Sequence, residues 1–274
     1  MIKCIIHCAD IHIRNFVRME EYADQLTRFT EKCEEIASEY EEGEVRILIA
    51  GDLVNSKNSV SNELFTFASA FLRQLEKIAP VIIFAGNHDL LTNNSSRIDT
   101  LTALFDTAGF ENCKFLDQML DYESGCIVDE NIVWALYSIF DDFKKPDLEL
   151  TREEHPDKKI IGLYHGMVVG ATLNNGFLVQ DGFDGDAFEG CDVVMAGHIH
   201  KFQDLKRSGV EILYPGSLIQ QTFGETVSLH GFAVWNVEDL TYEYMELPTE
   251  YGLYDVSIES IEDIDEDKEK LINF

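Results

Sequence analysis

The chain has 274 residues, of which 45% are hydrophobic, and its 21 Lys and Arg against 51 Asp and Glu give a formal net charge of −30. This composition excludes disordered, collagen-like and coiled-coil proteins, and no apolar run approaches the roughly 18 residues of a membrane span. Taken alone, the acidity disfavours a nucleic-acid partner, because phosphate binding depends on Lys and Arg. We therefore expect a globular, cytoplasmic protein without membrane association.

The first half of the chain alternates short apolar runs with amphipathic segments. Apolar runs of this length predict strands, and hydrophobic residues at three- and four-residue spacing predict helices. The predicted order is strand 2–9, helix 19–40, strand 45–50, helix 61–78, strand 81–85 and helix 98–108. This alternation is typical of a layered α/β domain.

The second half is richer in predicted strands. A hairpin at 127–128 and 132–137 is followed by strands at 160–164, 193–196, 202–205, 211–214, 231–237 and 242–247. The charged segment 141–159 is predicted to be a surface excursion. Residues 238–274 hold 13 Asp and Glu against 2 Lys, so we divide the chain into a domain at 1–247 and an acidic extension at 248–274. The pattern at 259–270 fits either a terminal helix or a solvated tail.

Five short polar motifs follow predicted strands. They are Asp10-Ile11-His12, Gly51-Asp52, Gly86-Asn87-His88-Asp89, His165-Gly166 and Gly197-His198-Ile199-His200. In α/β folds, sites assemble at the carboxyl ends of strands, so we expect these motifs to meet. Carboxylate, amide oxygen and imidazole together suit Mn²⁺, Fe or Zn²⁺. His7 lies inside an apolar run and is predicted to be a core histidine.

This ordered set resembles the calcineurin-like metallophosphoesterase superfamily, whose pattern is DxH, GDxx, GNH[DE], H and GHxH. The resemblance implies a four-layer α/β/β/α sandwich and two divalent ions, for which we expect Mn²⁺, with Mg²⁺, Fe and Zn²⁺ as alternatives. It implies two ligand sets that share Asp52: Asp10, His12, Asp52 and His200 for one ion, and Asp52, Asn87, His165 and His198 for the other. It further implies that His88 acts beside the scissile phosphate and that Asp89 orients its imidazole through a hydrogen bond.

Three segments resemble one branch of that superfamily, the SbcD-type nuclease subunits of phage and bacteria. They are ADIHIRN at 9–15, YHGMVVGATLNNGF at 164–177 and YPGSLIQQTFGE at 214–225. The resemblance implies an exonuclease or single-strand endonuclease in DNA recombination, repair or replication, with an SbcC-like ABC-type ATPase as partner and a homodimer as a further expectation. Because the chain stops soon after the last predicted strand, we expect a truncated or absent DNA-capping domain and a partner-binding role for the acidic extension.

The roles of residues outside the ligand sets, and the substrate of the site, have several possible interpretations. Asn55 stands where many of these nucleases have a His associated with exonuclease action, and we treat Asn55 and Arg14 as candidate substrate contacts, with a surface role as the alternative for Arg14. A small-molecule or cyclic-nucleotide phosphodiesterase, a protein phosphatase and a non-catalytic scaffold are the competing functions. Several basic residues stand close to the motifs, so the net acidity does not exclude DNA, although we expect the affinity for duplex DNA to be weak and salt-sensitive. These residues are Arg14, Arg18, Lys57, Arg97, Lys201, Lys206 and Arg207.

Overall fold

The computed structural model describes residues 1–57, 59–91 and 97–254. The strands in chain order are β1 (Cys4–Cys8), β2 (Val45–Ala50), β3 (Val81–Phe84), β4 (Cys113–Phe115), β5 (Gly125–Asp129), β6 (Ile132–Tyr137), β7 (Lys159–His165), β8 (Val193–Gly197), β9 (Gln203–Arg207), β10 (Val210–Tyr214), β11 (Gly231–Asn236) and β12 (Thr241–Glu246). The helices are α1 (Met19–Ala37), α2 (Asn62–Ile78), α3 (Thr100–Ala108), α4 (Leu116–Met119) and α5 (Leu148–Glu154), with 3₁₀ turns at Ile139–Asp141 and Gly185–Phe188.

The strands form two six-stranded sheets. The first has the order β12-β11-β1-β2-β3-β4, and the second has the order β5-β6-β7-β8-β10-β9. Strands β1 to β4 run parallel to one another, as do β6, β7, β8 and β10, whereas β11, β12, β5 and β9 pair antiparallel. The carboxyl ends of β1, β2 and β3 therefore share one edge of their sheet, and those of β7 and β8 share one edge of theirs.

Three buried clusters separate the layers. Alternation along β1 directs Cys4, Ile6 and Cys8 to the helix side and Ile5 to the other face, and the helix-side cluster includes Tyr22 and Phe29 of α1 and Phe71 of α2. The second cluster lies between the sheets and contains Trp134 and Trp235. The third covers the outer face of the second sheet with Leu148 of α5 and Phe188. The predicted four-layer α/β/β/α sandwich is confirmed, with a thin outermost layer.

The structure differs from the predicted elements in three places. The segment 141–159 was expected to be a surface excursion, yet it contains α5, whose Asp147 caps the helix by accepting a hydrogen bond from the Leu150 amide and whose Leu148 is buried. Strand β4 and the single turn α4 were missed because each is only three or four residues long. Helix α3 begins at Thr100 rather than 98, because the Asp99 side chain caps it.

The chain end was predicted to form an acidic extension from residue 248. Its first residues return to the domain, where Pro248 accepts a hydrogen bond from Gln25 and the Leu253 amide donates to Gln220. Residues 255–274, including the pattern at 259–270, lie outside the described residues, so the division at 247 and the partner-binding role stay predictions. Among the described helices, none is long and apolar enough to cross a membrane.

The buried polar residues include His7, as predicted for a core histidine. Neither of its ring nitrogens has a hydrogen-bond partner among the described residues, and burial lowers its pKa to about 3. The six cysteines are free thiols, five of them buried.

Candidate active site

The five motifs converge where the two sheets meet, in the loops that leave the carboxyl ends of β1, β2, β3, β7 and β8. His12 follows a strand of the first sheet and His200 follows a strand of the second, and their Nε2 atoms lie 3.0 Å apart. The His198 amide donates to both carboxylate oxygens of Asp10, at 3.0 and 2.9 Å. The parallel strands thus bring residues that are nearly 190 positions apart in sequence into one cluster.

Three overlapping groups of side chains could hold metal ions, and within each the ligand atoms lie within 4.8 Å of one another. The groups are Asp10, His12 and His200; His12, Asp52 and His88; and Asp52, His165 and His198. Asp52 belongs to two of them, since its Oδ2 lies 3.6 Å from His12 Nε2 and 3.2 Å from His165 Nε2. One carboxylate therefore borders imidazoles on both sides.

The amide of Asn87 joins the second side of this cluster, because its Oδ1 lies 2.7 Å from His198 Nδ1. His165 donates from Nδ1 to the Ala50 carbonyl at 2.8 Å, which fixes the ring and leaves Nε2 directed at Asp52 without a hydrogen bond. A buried imidazole nitrogen without a partner, beside carboxylates, is the arrangement that a metal ion satisfies. The residues present fit the divalent ions that the motifs imply.

The backbone at the cluster adopts unusual conformations. Asp10, His12 and Asp52 have φ of 52°, 53° and 53°, and His198 has φ of 95°. Residues other than glycine rarely adopt this left-handed region, because it costs about 1–3 kcal/mol for each residue. Residues strained in this way are concentrated at functional sites. Strain at four of the seven predicted ligands is consistent with a site that the surrounding fold holds in place.

The charges in the cluster shift one another's pKa values. Burial raises the pKa of Asp10 to about 6. Burial would also raise that of Asp52, but the His165 and His12 charges hold it below its usual range. Burial lowers the pKa of His198 to about 3 and that of His12 well below its usual value. The pKa of His165 moves the other way: although burial would lower it, the Asp52 charge and contact raise it to about 9. Metal ligation requires an ionised carboxylate and a neutral imidazole, so an ion that binds at Asp52 and His165 must displace a proton from His165.

The structure corrects the role predicted for Asp89. Its carboxylate does not contact the His88 imidazole but accepts hydrogen bonds from the backbone amides of Asp52, Gly86 and Val54 at 2.8, 2.9 and 3.1 Å. Burial and the neighbouring Asp52 charge raise the pKa of Asp89 to about 8. The predicted orienting hydrogen bond is therefore wrong, and Asp89 instead links the turns after β2 and β3.

The imidazole of His88 is held by a backbone group. Its Nδ1 donates to the Asn55 carbonyl at 2.9 Å, and its amide donates to Asp52 Oδ1 at 2.7 Å. Asn55 thus contacts the site through its carbonyl. Arg14 donates to the Gln221 carbonyl at 3.0 Å and to the Gln221 Oε1 at 3.2 Å, so this guanidinium is engaged within the protein, and its contact with substrate stays a prediction.

One residue of the site, Glu225, was not among the predicted site residues. Its Oε1 accepts a hydrogen bond from His200 Nδ1 at 3.0 Å, and its Oε2 accepts from the Gln221 amide at 2.8 Å. Burial opposes protonation of His200, but the hydrogen bond to Glu225 and the Asp10 charge raise the pKa of His200. A histidine ligand usually donates its second N–H to a carboxylate or a carbonyl. An acidic residue in the segment after GHxH was therefore the sequence feature that could have indicated a hydrogen-bond partner for His200.

Two viral proteins are similar to the chain in sequence. An uncharacterized protein of Acanthamoeba polyphaga mimivirus is 35% identical over 268 residues, which cover 94% of this chain and 19% of the viral protein. A protein of Invertebrate iridescent virus 6, named as a candidate phosphoesterase, is 27% identical over 192 residues, covering 65% of this chain and 60% of that protein. The chain thus spans about a fifth and about three fifths of these relatives.

Two solved structures are also similar. One is an archaeal phosphodiesterase, 13% identical, with a TM-score of 0.44, covering 89% of this chain and 99% of that one. The other is a hypothetical protein from Pyrococcus horikoshii OT3, 16% identical, with a TM-score of 0.43, covering 98% of this chain and 94% of that one. Residues 5–202 match the family model of the calcineurin-like phosphoesterases. Because this match begins in β1 and extends past the last of the five motifs, the chain belongs to the calcineurin-like phosphoesterase family.

Proposed function

We propose that the chain is a DNA nuclease that hydrolyses phosphodiester bonds at a site for two divalent ions, with Mn²⁺ as the expected metal. The observation that carries this proposal is the position of Asp52, whose carboxylate borders His12 on one side and His165 on the other. Two-metal hydrolases need one oxygen ligand between two separate ligand sets. Hydrolysis of phosphoesters is the chemistry of the family, and DNA is the proposed substrate.

In this proposal the ligand sets are those that the motifs imply. Asp10, His12, Asp52 and His200 would hold one ion, and Asp52, Asn87, His165 and His198 would hold the other. When bound, such ions neutralise phosphate charge and activate water for in-line attack. The chain's own contribution is to aim these ligands, through the Ala50 carbonyl on His165 and the Glu225 carboxylate on His200.

His88 is the proposed residue for moving a proton. Because Nδ1 donates to the Asn55 carbonyl, Nε2 is the ring atom left to hold a proton or a developing negative charge. The ring packs edge-on against His12, with centroids 4.7 Å apart, which places it beside the candidate metal groups. We propose that His88 Nε2 protonates the leaving oxygen or stabilises the transition state.

DNA specificity is supported by the segment 214–225, which resembles the SbcD-type nucleases and forms one wall of the site through Gln221 and Glu225. The names of the relatives described above specify no nucleic-acid substrate, so exonuclease or endonuclease action, an SbcC-like ATPase and a homodimer are parts of the proposal. Lys57 and Lys201 have no acidic partner in the described part of the chain, so their positive charge is available to attract phosphate.

The test is cleavage of end-labelled hairpin, linear duplex and single-stranded DNA with Mn²⁺ and with Mg²⁺, alongside bis-p-nitrophenyl phosphate. We expect wild-type protein to cleave DNA, Asp52→Ala and His88→Ala to abolish cleavage, and Leu150→Ala, an exposed position on α5, to retain it. Intact DNA together with turnover of the small diester would refute the nuclease and leave a small-molecule or cyclic-nucleotide phosphodiesterase. Hydrolysis of phosphopeptides alone would indicate a protein phosphatase, and uptake of no metal would indicate a scaffold.

A further inference from the structure

Two large aromatic side chains next to the candidate active site are exposed to solvent. Phe16 is 69% exposed and Phe223 is 65% exposed. Phe16 follows His12 by four residues, and Phe223 precedes Glu225, the hydrogen-bond partner of His200, by two residues. Both rings therefore belong to loops that position ligands of the same candidate metal group.

These two loops are joined to each other at their bases. Arg14 donates to the Gln221 carbonyl at 3.0 Å, and Arg18 donates to the Gln220 carbonyl at 2.6 Å. The rings thus project from a connected support rather than from independent loops. Phe16 has a φ of 55°, a conformation that is unfavourable for a bulky side chain, and exposure of its ring provides no compensating burial. Strain without burial suggests that the ring serves a ligand.

Positive charge borders the same region, in a chain whose net charge is −30. Lys201 directly follows His200, and Lys57 lies two residues after Asn55, whose carbonyl holds His88. Within the described ranges neither lysine forms an ion pair. Lysines and exposed aromatic rings in the loops around one site provide the two contacts that a polyanion with flat bases needs, namely phosphate attraction and stacking.

We propose that Phe16 and Phe223 form a stacking surface for unpaired bases of single-stranded DNA adjacent to the scissile phosphate. This inference rests on the proposed nuclease function and names the form of DNA that the site prefers. A small diester has no second base for such a surface, and a duplex keeps its bases stacked inside the helix, so unpaired bases are the ligand that the rings fit.

The experiment measures fluorescence anisotropy of a labelled oligothymidylate of about 15 nucleotides and of an abasic strand of equal length, with Ca²⁺ in place of Mn²⁺. Each of Phe16→Ala and Phe223→Ala should weaken oligothymidylate binding about fivefold or more, and the double variant about 25-fold or more. Binding of the abasic strand should change far less, because only phosphate contacts remain. Leu150→Ala, 49% exposed on α5, is the matched control and should bind like wild type.

Unchanged binding, or an equal loss for the abasic strand, would overturn the stacking surface. A melting temperature lowered by more than a few degrees in the double variant, or a changed oligomeric state, would also overturn it, because the rings would then pack against the chain itself or a second copy. Cleavage of DNA by all variants at the wild-type rate would leave the nuclease function standing without this surface. A wild-type protein that neither binds nor cleaves the oligothymidylate but cleaves linear duplex DNA would refute the stacking surface alone, whereas one that cleaves neither substrate would refute both proposals.

Discussion

Gly86, between β3 and Asn87, is the position where one added methyl group tests the site most directly. Its backbone lies outside the left-handed region, so alanine imposes no conformational cost there. A Cβ atom at Gly86 would lie 2.5 Å from the Asp52 amide nitrogen and 2.7 Å from Asp52 Cγ, and closer still to Oδ1. Ordinary Cβ contacts begin at 3.4 Å, so one of the two turns must move by about 1 Å.

This displacement affects the groups that fix Asp52. The Gly86 and Asp52 amides donate to the same oxygen of Asp89, at 2.9 and 2.8 Å, so a shift of either turn disturbs that link. Overpacking of this kind costs about 1–3 kcal/mol, which for a chain of this size lowers the melting temperature by about 2–12 °C. A misplacement of about 1 Å at a catalytic group costs about 100-fold in kcat.

The assay combines hydrolysis of bis-p-nitrophenyl phosphate with Mn²⁺, calorimetric titration of Mn²⁺ and thermal unfolding. We expect Gly86→Ala to lose about 100-fold in kcat and to bind Mn²⁺ more weakly. Gly224→Ala is the matched control, because its Cβ would have Thr222 Oγ1 as nearest neighbour at 3.8 Å, and it should behave like wild type. A Gly86→Ala protein with wild-type activity and Mn²⁺ affinity would show that the observed position of Asp52 is not required.

Three further predictions concern Glu225, Asn55 and Asp117. Glu225→Ala should weaken Mn²⁺ binding about 10- to 100-fold in calorimetry, because His200 loses its hydrogen-bond acceptor; wild-type affinity would contradict this. Asn55→Ala should leave kcat nearly unchanged, because His88 is held by the carbonyl, whereas a large loss would identify the amide side chain as a substrate contact. Burial raises the pKa of Asp117 to about 6 from 3.8, so its folded state binds the proton more tightly. The protonated Asp117 therefore contributes up to ~3 kcal/mol to the free energy of unfolding below about pH 4, and this contribution is lost as the pH rises through about 6. In urea unfolding below and above this pH range, the wild-type free energy of unfolding should show this loss, and that of Asp117→Asn should not.

The layout of the site was predictable because it follows from strand topology. The strand at 45–50 was predicted with the bounds that the structure shows, and the motif after it meets the motifs after β1, β3, β7 and β8. Parallel strands of one sheet bring their carboxyl ends to a common edge, so locating the strands brings together the motifs of each sheet. Packing of the two sheets against each other then brings the two sets of motifs together. Conversely, β4 and α4 are too short for any periodicity to appear in their sequences.

The hydrogen bonds around the ligands were less predictable because they depend on tertiary geometry. Asp89 adjoins His88 in sequence, which suggested a direct contact, but adjacent side chains project to different sides of the backbone, and Asp89 turns inward to the Asp52 and Gly86 amides. Glu225 reaches His200 across 25 residues. Neither partner can be chosen without knowing how the loops cross, although the chemistry of metal-bound histidine does predict that an acceptor exists.

The left-handed backbone at Asp10, His12, Asp52 and His198 links the predictable strand topology to the less predictable contacts of the ligands. Steric repulsion disfavours this region for L-amino acids, although Asp and His enter it more often than most residues, so residue type alone does not identify the conformation. A free loop would relax out of it, and the strain therefore has to be offset elsewhere. The strands that precede these residues are entirely buried, and Asp89 fixes the Asp52 turn through three amides. The packed sheets thus hold the ligands in conformations that the loops alone would abandon, which explains how one carboxylate comes to face imidazoles from both sheets.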